Sequence, residues 1–216
     1  RKIGTGTLTL ASANSYSGGT LVDAGTLATE VTGALGSGAA SVASGATLQF
    51  GGKADAGKLA IANAGTLRLQ DTASAAGATV TNAAGGQVRI DLTTTGTSIG
   101  SLGGAGDVVL GTKALTTGAL GADNTISGAI TGTTGSLVKV GAGTLTLSGT
   151  SSYSGETRIA AGTLKAGATN AFSAASSAVV ASGATLDLGG FSQKMAGLTN
   201  AGTVSLLGTV PGTTLT

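Results

Sequence analysis

Leucine and other aliphatic residues alternate with small or polar residues in short runs that return about every 20 residues. The clearest run reads Gly-Thr-Leu-Thr-Leu at residues 6–10 and again at residues 143–147. A two-residue alternation predicts a strand with one buried face. A fixed short period predicts a unit that buries its apolar face on its neighbours. The runs begin at Gly6, Gly25, Gly45, Gly65, Gly86, Gly106, Gly143, Gly162, Gly183 and Gly202.

These features predict an all-β fold, a parallel β-helix (β-solenoid) with about 20 residues per rung and about 11 rungs. Inward leucines such as Leu67 and Leu145 should stack into continuous aliphatic columns. Small-residue stretches such as residues 37–43 should supply the other strands of each coil. The glycine before each strand is expected at a corner, with positive φ and no room for a side chain beside the next coil.

The longest interval between runs, 37 residues from Gly106 to Gly143, is expected to hold two turns. Aligning the rungs predicts that Lys165 pairs with Asp187 on a neighbouring rung. It also stacks Arg68 on Arg89, a like-charge contact that Asp91 could offset. Arg68, Arg89, Asp91, Lys165 and Asp187 are therefore candidate surface-contact residues.

A longer repeat overlies the short one, because residues 3–52 resemble residues 140–190 and Tyr16 corresponds to Tyr153. This duplication predicts that residues 1–216 form a single β-helix segment. Each tyrosine ring is expected to pack on a coil corner and to bond the backbone through its hydroxyl. Because the chain opens in the middle of a motif, we expect it to be a fragment of a longer protein.

Composition limits the chemistry that this chain can perform. It contains no histidine and no cysteine, and 9% of its residues are charged. A Ser-His-Asp triad and an ordinary zinc site are therefore impossible, and we predict no catalytic, cofactor or metal residues. The basic residues are scattered, so no nucleic-acid partner is expected. The one enzyme alternative is polysaccharide cleavage by Asp91 with Arg89.

The segment Leu137–Gly149, followed by Tyr153-Ser154-Gly155 and Gly162-Thr163-Leu164, resembles the passenger-associated transport repeat of bacterial autotransporters. A second copy spans residues 2–27. The later copy departs from the family pattern at Ser151, where asparagine is usual, and at Ile159, where valine is usual. The structural repeat residues are Gly6, Leu8, Tyr16, Gly18, Gly25, Leu27, Gly143, Leu145, Tyr153, Gly155, Gly162 and Leu164.

The resemblance implies a right-handed parallel β-helix at the surface of a Gram-negative bacterium, or secreted from it. It also implies an outer-membrane barrel C-terminal to this segment in the full protein. Passengers of this family act in adhesion, self-association or biofilm formation. The implied partner is a protein or glycan on a host or neighbouring cell, or the same passenger on another cell. A passive spacer for a distal domain is the remaining alternative.

Overall fold

The computed structural model describes residues 1–206 and 213–216, and all the regular elements in those residues are β-strands. The strands are short because the chain bends at a corner after each alternating run. None of the described residues forms a helix long and apolar enough to cross a membrane. In chain order the strands are β1 (Thr7–Leu10), β2 (Thr20–Val22), β3 (Thr26–Thr29), β4 (Ala40–Val42), β5 (Thr47–Phe50), β6 (Ala60–Asn63), β7 (Thr66–Asp71), β8 (Ala75–Asn82), β9 (Gln87–Thr93), β10 (Gly96–Gly104), β11 (Asp107–Gly111), β12 (Ala114–Thr117), β13 (Asn124–Ile126), β14 (Ile130–Gly132), β15 (Ser136–Lys139), β16 (Thr144–Leu147), β17 (Thr157–Ile159), β18 (Thr163–Ala166), β19 (Ser177–Val180), β20 (Thr185–Asp187), β21 (Gly197–Asn200) and β22 (Thr203–Ser205).

The strands pair in parallel with strands about 20 residues further along the chain, and so form three columns. Column I contains β2, β4, β6, β8, β10, β13, β16, β18, β20 and β22. Column II contains β1, β3, β5, β7, β9, β11 and β14, and column III contains β10, β12, β15, β17, β19 and β21. Strand β10 belongs to two columns because its first residues pair with β12 and its last residue pairs with β13. The predicted parallel β-solenoid is confirmed, with about ten turns.

The coils between Gly106 and Gly143 do not complete two turns. Asp107 and Ala129 lie on adjacent coils and are 22 residues apart. Val108 of column II pairs with Ile130, which in turn bridges to Ser151. Leu145 is in column I instead, beside Asn124 of β13. The expectation of two turns is therefore wrong. The chain from Gly106 to Gly143 ends one column short of two full turns, because these coils are longer than the average period.

The second repeat copy consequently lies one column earlier than the first. Strands β1 and β16 share the sequence Thr-Leu-Thr-Leu, yet β1 is in column II and β16 is in column I. Similarly, β2 is in column I, and its counterpart β17 is in column III. The columns accept the same strand because each offers it the same parallel backbone ladder and an aliphatic interior.

The core consists of inward aliphatic side chains stacked along the columns. Leu67 and Leu145 are 0% and 2% exposed, as the alternation predicts. The same alternation places Leu8 of the run at residues 6–10 on the inward face, but it is 46% exposed because β1 is the outermost strand of column II. Leu206, which follows the last strand of column I in the described residues, is 51% exposed. Burial therefore depends on having a coil on both sides.

Glycine at the corners is required mainly by the neighbouring coil. Gly143 does not have positive φ, but a Cβ there would lie 2.5 Å from the carbonyl oxygen of Gly121 on the preceding coil. Gly162 has a φ of 66°, and its Cβ would also collide with preceding backbone at Gly141. The expectation of positive φ thus holds for some opening glycines, and close stacking explains most of the others; Gly6 has neither.

Candidate functional site

The lysine of the second repeat copy caps a corner of the solenoid. Lys139 is the last residue of β15, and its side chain points inward and is 1% exposed. Its Nζ donates to the carbonyl oxygens of Val140 at 2.9 Å, Gly141 at 2.8 Å and Ala161 at 3.2 Å. Burial lowers the pKa of Lys139, and the nearby Asp123 opposes that shift. The ammonium thus satisfies carbonyl groups on two successive coils.

Lys2 forms the same cap in the first copy. Its Nζ donates to the carbonyl oxygens of Ile3 at 3.2 Å, Gly4 at 2.7 Å and Ala24 at 2.9 Å. These acceptors are the counterparts of those around Lys139, although the two lysines lie in different columns. Sequence reasoning placed both lysines in the repeat and gave neither a role. The spacing Lys-x-Gly-x-Gly was the available signal, because it brings the carbonyls of a tight corner back to the lysine.

The two tyrosines also make equivalent hydrogen bonds. The hydroxyl of Tyr153 lies 2.7 Å from Thr157 Oγ1, and that of Tyr16 lies 2.8 Å from Thr20 Oγ1. The expected backbone partner is therefore wrong, since a threonine side chain takes its place. Tyr153 is 0% exposed and Tyr16 is 38% exposed. Burial raises the pKa of Tyr153 to about 12.

The other repeat residues shape the stack. Leu27 and Leu164 are buried in the core. The N–H of Gly155 donates to Gly135 on the preceding coil at 2.9 Å, where a Cβ would collide with the backbone. Gly6 and Gly18 have open space at the Cβ position. The same glycine pattern is therefore sterically necessary only where a preceding coil is stacked against it.

Polar side chains inside the solenoid were missed by sequence reasoning. Asn63 and Asn82 are buried in column I, and Asn63 Nδ2 donates to Asn82 Oδ1 at 2.8 Å. Asn63 Nδ2 also donates to the carbonyl oxygen of Gln87, and Asn82 Nδ2 donates to that of Asp107. These amides connect columns I and II at the corners. The recurrent Asn-Ala before glycine was a detectable signal.

The outward side of column II carries what we call the arginine patch: Gln49, Arg68, Gln70, Arg89 and Asp91. In register, Gln49 of β5 neighbours Arg68 of β7, which neighbours Arg89 of β9. Adjacent strands are separated by about 4.8 Å. The predicted stacking of Arg68 on Arg89 is therefore confirmed, and so is the placement of Asp91 beside Arg89.

A β-bulge in β9 accompanies the ion pair between Asp91 and Arg89. Two residues of β9, Ile90 and Asp91, lie opposite one residue of β7, and a bulge of this kind redirects a side chain. Arg89 donates from Nε to Asp91 Oδ1 at 3.2 Å and from Nη2 to Asp91 Oδ2 at 2.6 Å. These hydrogen bonds lower the pKa of Asp91 and raise that of Arg89. Such a carboxylate is a weak base at neutral pH, which disfavours the polysaccharide-cleaving alternative.

Lys165 and Asp187 form a separate, smaller feature. They neighbour each other on β18 and β20, with Lys165 Nζ 3.6 Å from Asp187 Oδ2, so the predicted pairing is confirmed. Asp187 Oδ1 also accepts a hydrogen bond from the N–H of Gly189 at 2.9 Å. This pair lies in column I and the arginine patch lies in column II. The five candidate contact residues therefore do not form one site.

A third surface lacks charge. On the outward side of column I, Leu21, Ser41, Ala62 and Thr81 are exposed and follow one another in register. They line a shallow, mainly apolar groove. We call these four residues the small-residue face. Among residues 1–206 and 213–216, there is no group of three or more acidic side chains that could hold a metal ion.

Comparison with known proteins agrees with this architecture. The passenger-associated-transport-repeat family matches residues 1–28 and 137–166, which include both lysine caps. The adhesin BmaC autotransporter of Brucella suis biovar 1 (strain 1330) is 36% identical over 165 residues. That alignment covers 74% of this chain and 4% of the relative. No solved structure matches. Similarity to an adhesin favours a non-enzymatic role.

Proposed function

Because the chain is a segment of an autotransporter passenger, at the surface of a Gram-negative bacterium or secreted from it, we propose that it is an adhesive stalk. Its outward side chains make extended contact with a protein or glycan on another cell, or with the same passenger there. The single observation that carries the proposal is the regular outward rows. Gln49, Arg68 and Arg89 form one row, and the small-residue face forms another.

Rows of this kind suit adhesion for a physical reason. Each rung presents only a few atoms, so a single rung binds weakly. The rungs recur at about 4.8 Å along one rigid body. Contacts along the row therefore form without repeated orientational cost, and weak energies add along its length. The adhesin name of the Brucella relative supports the proposal.

Beads coated with the chain test the proposal. We expect coated beads to aggregate or to adhere to cells. The double variant Ser41→Lys/Ala62→Lys places two neighbouring positive charges on the small-residue face. We expect it to weaken bead aggregation several-fold, because like charges on facing rods repel. The matched control, Thr116→Lys/Val138→Lys, adds the same charges at neighbouring outward positions of column III.

The outcomes separate adhesion from its alternatives. Unmodified chain that neither aggregates beads nor binds cells overturns the adhesive proposal. A spacer role would then be favoured by the continuous buried core. An equal loss in the column III control would show that added charge acts non-specifically. Each variant is first checked for native β-sheet content by circular dichroism.

A further inference from the structure

Two adjacent strands of the arginine patch carry the same arginine with different companions. On β9 the sequence is Arg89-Ile90-Asp91, and on β7 it is Arg68-Leu69-Gln70. Arg89 holds the Asp91 carboxylate with Nε and Nη2. Gln70 stands two residues beyond Arg68, as Asp91 stands two residues beyond Arg89. An amide is neutral, so Arg68 has no carboxylate at the position where Arg89 has Asp91.

Arg68 consequently presents unused donors. Within the described residues it makes no hydrogen bond or ion pair. Its Nε is buried and out of reach of a ligand, so the donors that it presents are those of its two Nη groups. A guanidinium carries donors in a planar fork that matches a carboxylate. Arg89 demonstrates that match one coil away, since its Nε and Nη2 take the two oxygens of one carboxylate.

The surroundings of Arg68 favour an extended anionic ligand. Arg68 is close enough to Asp91 to lower the pKa of Asp91. Both carboxylate oxygens of Asp91, however, are already bonded to Arg89. The three charged groups Arg68, Arg89 and Asp91 leave one net positive charge. The Gln70 amide lies over Gly51, which has no side chain of its own, and adds polar atoms to the patch. The patch is thus polar and cationic.

The wider charge distribution does not cancel this positive charge. Asp71, which ends β7, accepts a hydrogen bond from the N–H of Gly52 with Oδ2 at 2.9 Å. Glu30 follows β3, two strands away from β7 in column II. Among the described residues, neither Asp71 nor Glu30 forms an ion pair with Arg68. The residues next to Arg68 in register are Gln49 and Arg89.

We propose that the arginine patch binds the carboxylate groups of an acidic polysaccharide, with Arg68 holding a carboxylate through its unpaired guanidinium edge. The amides of Gln49 and Gln70 would contact neighbouring hydroxyl groups of the sugar chain. This inference rests on the adhesive function proposed above and names the chemical class of one partner. A uronic-acid polymer fits because its carboxylates recur along a flexible, hydroxyl-rich chain.

Binding of hexagalacturonic acid to the intact chain tests the inference. Arg68→Gln should weaken binding about tenfold, because a charge-assisted hydrogen-bonded pair is lost. Gln70→Asp should weaken it similarly while keeping the arginine, because it supplies the carboxylate that Arg89 already has in Asp91. Arg158→Gln removes an exposed arginine from column III and should change affinity less than twofold. Thr116→Asp, at an outward position of column III, is the charge-matched control for Gln70→Asp.

Two further sugars test whether binding requires carboxylate groups. Maltohexaose is neutral and should not bind measurably. Binding of sulfated maltohexaose should depend less on Arg68 than binding of hexagalacturonic acid, because general charge attraction does not need the planar match between a guanidinium and a carboxylate. Equal dependence on Arg68 for the sulfated sugar would overturn the assignment to carboxylates. Unchanged binding in Arg68→Gln would overturn the inference and leave the adhesive proposal standing. Unmodified chain that fails the bead assay overturns the adhesive proposal independently of the sugar result.

Discussion

The two repeat copies show what a local motif decides and what its neighbours decide. Lys2 and Lys139 make the same three bonds, and Tyr16 and Tyr153 each reach the threonine four residues further on. The sequence of the motif therefore determines these local hydrogen bonds. They form in either copy although the copies lie one column apart.

Burial differs between the copies because it depends on the coils on either side. Tyr153 lies under a coil whose Ser173 Oγ donates to the Tyr153 carbonyl oxygen at 2.6 Å. Thr157 Oγ1 is also 2.8 Å from Ser176 Oγ, so the tyrosine belongs to a buried network. Tyr16 has a similar threonine bond but remains partly exposed. The same motif should therefore contribute more stability in the second copy.

The largest expected difference concerns the lysine caps. Lys139→Met should lower the free energy of unfolding by about 3 kcal/mol, because three partly buried carbonyl groups lose a charged donor. Lys2→Met should cost about 1 kcal/mol, since water reaches the first copy more readily. Urea denaturation followed by circular dichroism measures both. Equal losses would contradict the role that we assign to neighbouring coils.

At alkaline pH, the second copy should lose the part of its stability that depends on the neutral side chain of Tyr153. The pKa of Tyr153 is raised from 10.0 to about 12, so the folded state retains this proton more strongly. Stability from the neutral phenol is complete below about pH 10 and is lost as pH rises through 12. The loss approaches about 2.7 kcal/mol. Tyr153→Phe should lack it.

The comparison with Tyr153→Phe is necessary because Lys139 acts in the opposite direction. Its pKa is lowered in the folded state, so raising the pH toward 10.5 relieves a cost of burying the ammonium. The difference in unfolding free energy between the two proteins at each pH removes the lysine contribution. A constant difference from pH 9 to pH 12 would contradict the assignment to Tyr153.

At neutral pH, loss of the tyrosine hydroxyl should have a smaller effect. Tyr153→Phe should cost about 1 kcal/mol, because Thr157 keeps Ser176 as a hydrogen-bond partner. Tyr16→Phe should cost about 0.5 kcal/mol, since its hydroxyl bond is partly exposed to water. Chemical denaturation of the two variants in the same buffer gives the comparison. A larger loss at Tyr16 would be the contrary result.

The smallest expected effect concerns the surface pair. Ala28 of the first copy corresponds to Lys165 of the second, so Lys165→Ala makes the copies alike at that position. Because the pair with Asp187 is partly exposed, we expect a loss of about 0.5 kcal/mol or less. The loss should shrink further in 0.5 M NaCl. A loss unaffected by salt would mean that packing, not charge, is responsible.

The period and alternation of the sequence were sufficient to predict the fold class and several contacts. The regular spacing from Gly45 to Asp91 allowed the rungs to be aligned, which placed Arg68 beside Arg89 correctly. Lys165 and Asp187 were found by the same argument. These predictions succeeded because parallel strands one period apart stack directly, so residue number alone gives the neighbour.

The column of the second copy could not be obtained from residue number. The 37 residues from Gly106 to Gly143 fit two short coils about as well as fewer long ones. Coil length varies with the size of each corner, and the small residues at these corners do not specify it. The sequence also could not predict that the guanidinium of Arg68 is unpaired, because its lack of a partner depends on the β-bulge that turns Asp91 toward Arg89.

Disulfide trapping tests most directly whether the coils follow this path. The natural sequence has no cysteine, so two can be introduced without interference. Val109 and Thr131 are neighbours on β11 and β14, at a separation that suits a disulfide. We predict efficient oxidation of the Val109→Cys/Thr131→Cys variant and little oxidation of Val109→Cys/Ser127→Cys. The reverse result would place two full turns between Gly106 and Gly143 and contradict the shift of one column.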